Sequence, residues 1–374
     1  MTDPLRAAIL LVLALHAAAS AQSRADTSIA ADRAISRAAK FLIDQQSADG
    51  AWRSHVYGVL KDGTALTPQI VLCLQSMPHD PDTDGAIKRA RKYLSSLTDD
   101  AGPVRQSLMF PAYNAAIISR LQPHHRSAWI ESVRFRQLAG DLGWQPGDPE
   151  FGGWGYAASL PRKPGPGLHD PTATANLSAT LASLEALRDA SVTPDDPAIS
   201  NALVFVQRCQ NFANAPDPVF DDGGFFFMPK DAAWNKAGLA GTDRLCRVRF
   251  NSYGSATADG LRALLDAGLP PGHPRVVASR RWLETHFDPE SNPGVFPPDR
   301  QVLRNATYYY YLCSLAQAFS RIPIAIEWRS PICDALIHRQ AVNGSWHSSF
   351  TDGKEDDPLV ATPQAITALI VCRH

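Results

Sequence analysis

The groups in this chain best suited to chemistry are acids that stand just ahead of apolar, helix-like stretches. His169-Asp170-Pro171-Thr172 sets a carboxyl beside an imidazole, a pairing suited to general acid–base work. Glu355-Asp356-Asp357-Pro358 occupies the corresponding place near the end of the chain, and Asp62 near its start. Three acids at equivalent positions, Asp62, Asp170 and Asp357, would ring a cavity mouth and there hold a cation or exchange protons. They would equally serve as helix starts, because carboxylates are favourable at helix N-termini and proline suits a first turn. On that reading Asp170 caps a helix beginning at Pro171.

Basic and aromatic residues form a second set. Arg244, Arg247 and Arg249 precede one apolar stretch and Arg304 precedes the next. Converging guanidiniums clamp phosphate or an acidic sugar; dispersed ones pair on the surface. Tyr156, Tyr253, Tyr308 and Tyr310 could supply the aromatic wall of a cavity, or simply pack at helical spacing. Metal sites fare worse. Asp243 with Cys246 is a poor zinc pair without a third convergent ligand. Asp80-Pro81-Asp82-Thr83-Asp84-Gly85 opens like a calcium loop but has Arg91 where a bidentate glutamate belongs, so Asp84 reads as a helix cap. No metal and no cofactor is expected.

The elements that hold these residues repeat. Six times an amphipathic stretch enters a loop and a more uniformly apolar stretch follows, at a period of about 45–70 residues. The clearest loops are Gln46-Ser47-Ala48-Asp49-Gly50-Ala51-Trp52 and Gln340-Ala341-Val342-Asn343-Gly344-Ser345-Trp346, with Phe151-Gly152-Gly153-Trp154-Gly155-Tyr156 between them. The expected pairs begin with Ala30 onward and Thr64 to Met77, then Asp84 to Leu94 with Tyr113 to Ile118. Trp129 to Leu138 precedes Thr172 to Leu187, and Ile199 to Gln210 precedes Ser255 to Leu265. Val276 to His286 with Thr307 to Phe319, and Pro331 to Arg339 with Thr362 to Val371, complete the set. Outer amphipathic and inner apolar helices are what a closed ring of hairpins needs. The fold expected is all-α, an α6–α6 barrel of six helix hairpins, with the long loops gathered at one rim. Trp52, Trp154 and Trp346 read as clasps between repeats.

Bulk properties narrow the function. The chain has 374 residues, 45% hydrophobic and 20% charged, with a formal net charge of -1. Scattered Lys and Arg leave no electrostatic footprint for nucleic acid. Arg6, the apolar run Ala7 to Ala19 and Ala19-Ser20-Ala21 make a cleavable targeting segment, too short to span a bilayer as a stable helix. The expectation is a signal peptide over 1–21, export to the periplasm or beyond, no transmembrane anchor after cleavage, and one toroid over 22–374. Export permits disulfides among six cysteines, Cys209–Cys246 being one candidate.

The glutamine–glycine–tryptophan loops, Phe151–Tyr156, Ser252-Tyr253-Gly254-Ser255-Ala256-Thr257-Ala258-Asp259-Gly260-Leu261, the run Tyr308–Tyr311 and Asp357-Pro358-Leu359-Val360 resemble the terpenoid cyclase and protein prenyltransferase superfamily. The chain is most similar to small exported bacterial proteins with prenyltransferase/squalene oxidase repeats. The resemblance implies an α/α toroid that acts on or binds an isoprenoid or other apolar molecule in its central cavity. It implies Asp170, beside His169, as the acid matching a cyclase's Asp-x-Asp-Asp-Thr-Ala run, though the further carboxylates are missing. Two other roles stay open: a non-catalytic exported toroid that holds a ligand or protein partner at its rim, and a polysaccharide lyase-like enzyme using rim Arg and Asp residues. The Cys-Gly-Glu-Gln thioester motif is absent, which excludes covalent capture.

Overall fold

A computed structural model describes residues 27–373, apart from 79, 100–101, 104–107, 166, 169, 171 and 215. The targeting segment 1–21, His169 and Pro171 lie outside the described residues. In chain order, helix α1 covers residues 27–44, α2 Leu66–Gln75, α3 Pro81–Ser95, α4 Pro111–Leu121, α5 Arg126–Phe135 and α6 Leu177–Asp189. There follow α7 Pro197–Arg208, α8 Gly254–Asp266, α9 Pro274–Thr285, the short α10 Gln301–Asn305, α11 Tyr308–Phe319, α12 Arg329–His338 and α13 Pro358–Cys372. Two antiparallel hairpins interrupt the loops, β1 Thr98–Asp99 with β2 Gly102–Pro103 and β3 Leu239–Thr242 with β4 Val248–Phe250.

What each helix buries sets its layer. In α3 one stripe, Ala86, Ile87, Ala90, Tyr93 and Leu94, is buried while Lys88, Arg89, Arg91 and Lys92 face water. In α6, α8 and α11 nearly the whole circumference is buried. The inner helices α2, α4, α6, α8, α11 and α13 each pack on the next, and α13 packs back on α2. The result is the closed α/α toroid expected from the repeat. Among the described residues no helix is long and apolar enough to cross a membrane.

Helix starts correct two expectations. The cap of α3 is Asp80, whose carboxylate accepts the Thr83 N–H at 2.9 Å ahead of Pro81, so Asp84 lies inside the first turn. Helix α6 begins at Leu177, capped by Asn176 through the Ala179 N–H at 2.9 Å. Residues 172–175 stay irregular because the Asn176 N–H bonds the Trp154 carbonyl at 2.8 Å and holds the segment to the preceding loop.

The repeated loops are a hydrogen-bonded device. Gln46, Gln137, Gln210 and Gln340 each donate from the side-chain amide to two carbonyls at 2.8–3.0 Å. One carbonyl belongs to the loop glycine, at Gly50, Gly152, Gly223 or Gly344. The other belongs to the next outer helix, at Ala86, Ala198, Arg275 or Ala34. The glycine has no substitute: at Gly152, where φ is +90°, a Cβ would lie 1.9 Å from the Asn201 carbonyl oxygen of α7. Trp52, Trp154 and Trp346 are fully buried and donate their indole N–H to Leu42, Val133 and Leu336 at 2.6–2.8 Å. Their backbone N–H groups reach Thr67, Thr180 and Thr362 hydroxyls on inner helices at 3.0 Å; Phe225 does the same with Thr257. Gln340–Ala34 and the ion pair Arg373–Asp32, 2.8 Å, join the last repeat to the first.

Candidate functional site

The acids singled out by sequence turn to their own backbone. Asp170 accepts the Thr172 N–H at 2.8 Å and its hydroxyl at 2.7 Å, in a loop seven residues ahead of α6, so it caps no helix. Asp62 does the same for Thr64 at 2.9 Å, and Asp357 caps α13 through the Leu359 N–H at 2.9 Å. The acids form no ring: among the described residues no three His, Cys, Asp or Glu side chains gather closely enough to hold a metal.

The basic residues are similarly committed. Arg247 pairs with Asp243 at 2.7 Å within the β3–β4 hairpin. Arg249 pairs with Asp221 and, at 3.3 Å, with Asp243. Arg304 lies over the Phe296 ring and donates to the Gly294 carbonyl at 3.1 Å. Arg247 and Arg249 meet on Asp243, which neutralises them, while Arg304 is held on Phe296. Tyr308 points away from the ring axis, donating to Pro289 at 2.8 Å beneath the Arg339 guanidinium. Tyr253 is buried at the start of α8 against Phe296. Tyr156 packs edge-on against Phe110 and Tyr113, with ring centroids 5.1 and 6.1 Å away. Of the tyrosines chosen from sequence, Tyr310 is the one that lines the lumen.

That lumen is a cavity of about 290 Å³ walled by all six inner helices. It runs from Ser178 and Tyr310, in the first turns of α6 and α11, to Ser76, Arg120 and Gln317 at the helix C-termini. Ser76 is exposed, so the open end is the side of the short connections. The expectation of a mouth at the long loops is therefore corrected. The long-loop end is closed by side chains: Tyr156, Lys236 above Phe227 at 5.3 Å, and the buried Glu355.

A polar network lines one wall. Tyr310 donates to Asp259 at 2.7 Å and lies 3.0 Å from the Ser178 hydroxyl; Ser314 donates to the other Asp259 oxygen. Arg262 donates to Ser314 at 3.0 Å, to Gln317 at 3.1 Å and to Glu185. Glu185 also takes Arg120 at 2.9 Å, and Arg120 reaches Asp189 at 2.7 Å. Burial raises the Asp259 carboxyl above the ordinary range, against the pull of Arg262, Ser314 and Tyr310. Burial acts on Glu185 in the same direction, but Arg262 and Arg120 outweigh it and its pKa falls. The Tyr310 hydroxyl is pushed well up by burial and by Asp259. Glu355 accepts the Tyr309 and Tyr310 N–H groups at 2.9 and 2.8 Å, a carboxyl seated on the N-terminus of α11. Burial nonetheless lifts it to about 8.

Sequence reading missed Asp259, Arg262, Glu185 and Arg120. The signal was present: charges three residues apart inside a helix otherwise buried all round have no solvated face to occupy.

No protein-family pattern matches the sequence, and no curated protein matches it. Solved structures do share the fold. They include the type II terpene cyclase MstE from Scytonema in complex with its substrate geranylgeranyl dihydroxybenzoate, at 12% identity and a TM-score of 0.56, with 93% of this chain covering 98% of that one. A protein from Actinoplanes matches at 16% identity and TM-score 0.58, over 92% of this chain and all of the other. Cellobiose 2-epimerase from Spirochaeta thermophila matches at 13% and 0.53, over 92% and 97%. The chain thus shares the α/α-toroid fold of these proteins.

Proposed function

We propose that the lumen binds an elongated, largely apolar molecule of the isoprenoid class that ends in one acidic or hydroxylated head. The observation that carries this reading is the division of the cavity wall. Leu72, Tyr113, Ile117, Leu181 and Tyr310 offer apolar and aromatic surface, while Arg120, Arg262, Glu185 and Gln317 set charge and hydrogen-bonding groups toward the open end. A ligand with an apolar body and a polar head satisfies both parts without leaving a buried charge unpaired. Geranylgeranyl dihydroxybenzoate, the substrate of MstE, has that form.

The geometry favours binding over cyclisation. Protonating an alkene needs a strong acid in contact with it. Asp259 stands behind Tyr310 and Ser314, and its raised pKa makes it a weaker acid than an ordinary carboxyl. Asp170 lies in a loop, bonded to its own Thr172, and is not among the residues that line the cavity. The polysaccharide reading is weakened as well, because the lumen is a bounded cavity and not an open groove. Export by the 1–21 segment would place such a binder outside the cytoplasm, where a sparingly soluble lipid needs a carrier or sensor.

The test is native mass spectrometry of the protein purified from its own host, with calorimetric titration of geranylgeranyl dihydroxybenzoate. A co-purifying isoprenoid, or micromolar binding of the probe abolished by Leu181→Trp in a folded variant, is expected. An empty protein that also ignores the probe sinks the proposal.

A further inference from the structure

A different part of the molecule carries a second site, independent of the lumen. Cys333 on α12 and Cys372 on α13 belong to the two helices of the last hairpin, which pack directly on each other. Both are buried, at 2% and 4% exposure, and near enough for Cys333 to bear on the ionisation of Cys372. They share a cavity of about 250 Å³ with Thr27, Glu327, Arg329 and Arg373, so a small reagent has room to reach them.

We infer that Cys333 and Cys372 form a disulfide that staples α12 to α13 where the ring closes. The other cysteines offer nothing equivalent. Cys209 is buried at the end of α7 and Cys246 is exposed in the β3–β4 turn, so the sequence candidate Cys209–Cys246 would join a buried thiol to an exposed one; Cys73 and Cys313 line the lumen.

The chemistry is thiol–disulfide exchange with an external disulfide, either a small molecule or an oxidised dithiol protein. The Cys372 thiolate attacks one sulfur of that disulfide, which releases the first thiolate and leaves a mixed disulfide. The Cys333 thiolate then attacks the Cys372 sulfur and expels the second. Two cysteine thiols are oxidised, one external disulfide is reduced to two thiols, and the two cysteine protons pass to the released thiolates. Burial holds the Cys372 thiol well above its ordinary pKa, the Cys333 thiol adds to this, and the Arg329 guanidinium beside them opposes it. Oxidation is therefore slow. The staple ties down the hairpin whose inner helix meets both α11 and α2 and whose outer helix leads to the seam with α1.

The pair falls in separate tryptic peptides, Ser330–Arg339 and Glu355–Arg373. The full chain, purified under reducing conditions, is incubated with oxidised glutathione, blocked with N-ethylmaleimide and digested without reductant. The expected result is one dominant joined species of those two peptides, with a melting midpoint about 5 °C above the reduced protein. That rise should vanish in Cys333→Ser. If this variant does not fold, Cys372→Ala serves, and the peptide map of the unaltered protein needs no variant. Both peptides recovered as maleimide adducts, or a Cys73–Cys313 linkage in their place, would overturn the inference.

Discussion

At the scale of single residues, burial decides what each ionisable group can do. Arg262, Glu185 and Asp259 are mutually satisfied in the lumen wall, so removing one strands another. Glu355 is different: folding lifts its carboxyl from an ordinary 4.5 to about 8, chiefly by burial, although the Tyr309 and Tyr310 amides pull the other way. The folded protein therefore keeps a proton there that the unfolded chain has released. Its contribution to stability is complete below pH 4.5 and is lost as pH rises through 8. Glu355→Gln removes the titration, so urea midpoints of the native protein should fall relative to the variant between pH 5 and 8. Parallel pH profiles for the two proteins would refute the assignment. These residues were poorly legible in sequence. Asp170 and Asp357 drew attention because they stand beside prolines at loop ends, where a carboxylate stabilises amides whatever else it does. Asp259 sits mid-helix in Ala258-Asp259-Gly260, and only the ring geometry shows that its helix has no wet face.

At the scale of elements, the clasp between repeats is the organising unit. Its tryptophan and glycine were legible, because few other roles bring a large indole two residues after a glycine at the end of a helix. Its glutamine and threonine were not. Both are common surface residues, and their partners lie on other helices, as with Gln137 and Ala198, 61 positions apart. The threonine is open to a clean test. Thr180→Val keeps the shape but leaves the buried Trp154 N–H without an acceptor. The loss should be about 1–3 kcal/mol by denaturant unfolding. A loss below a few tenths of a kcal/mol would mean that the clasp rests on packing alone. Helix starts were the least legible boundaries. Asn176 and not Asp170 opens α6, because a loop-to-loop backbone bond holds the intervening residues out of helical conformation.

At the scale of the whole molecule, the ring and its alternation of outer and inner helices were read from the hydrophobic pattern, and the direction of its cavity was not. Long loops suggested a mouth, but in the structure those loops fold inward and their side chains close that end. The first and last helices meet through Arg373 and Asp32, so the chain can be linked across that seam and the ring opened elsewhere. A circular permutant linked across that seam and opened at Leu245 in the exposed β3–β4 turn should unfold cooperatively, within about 2 kcal/mol of the parent by urea denaturation. Separate transitions for the repeats would argue against a single closed unit.

The seam also bears on how the protein reaches its folded state. Asp32 and Arg373 are 341 positions apart, so the contact that completes the ring closes nearly the whole chain. Local hairpins can form early, but this closure carries the largest loop entropy and comes last. Until it does, the flanks of α2 and α13 that pack on one another remain open to water. The incomplete ring, with two apolar edges unpaired, is thus the species expected to be most prone to aggregate.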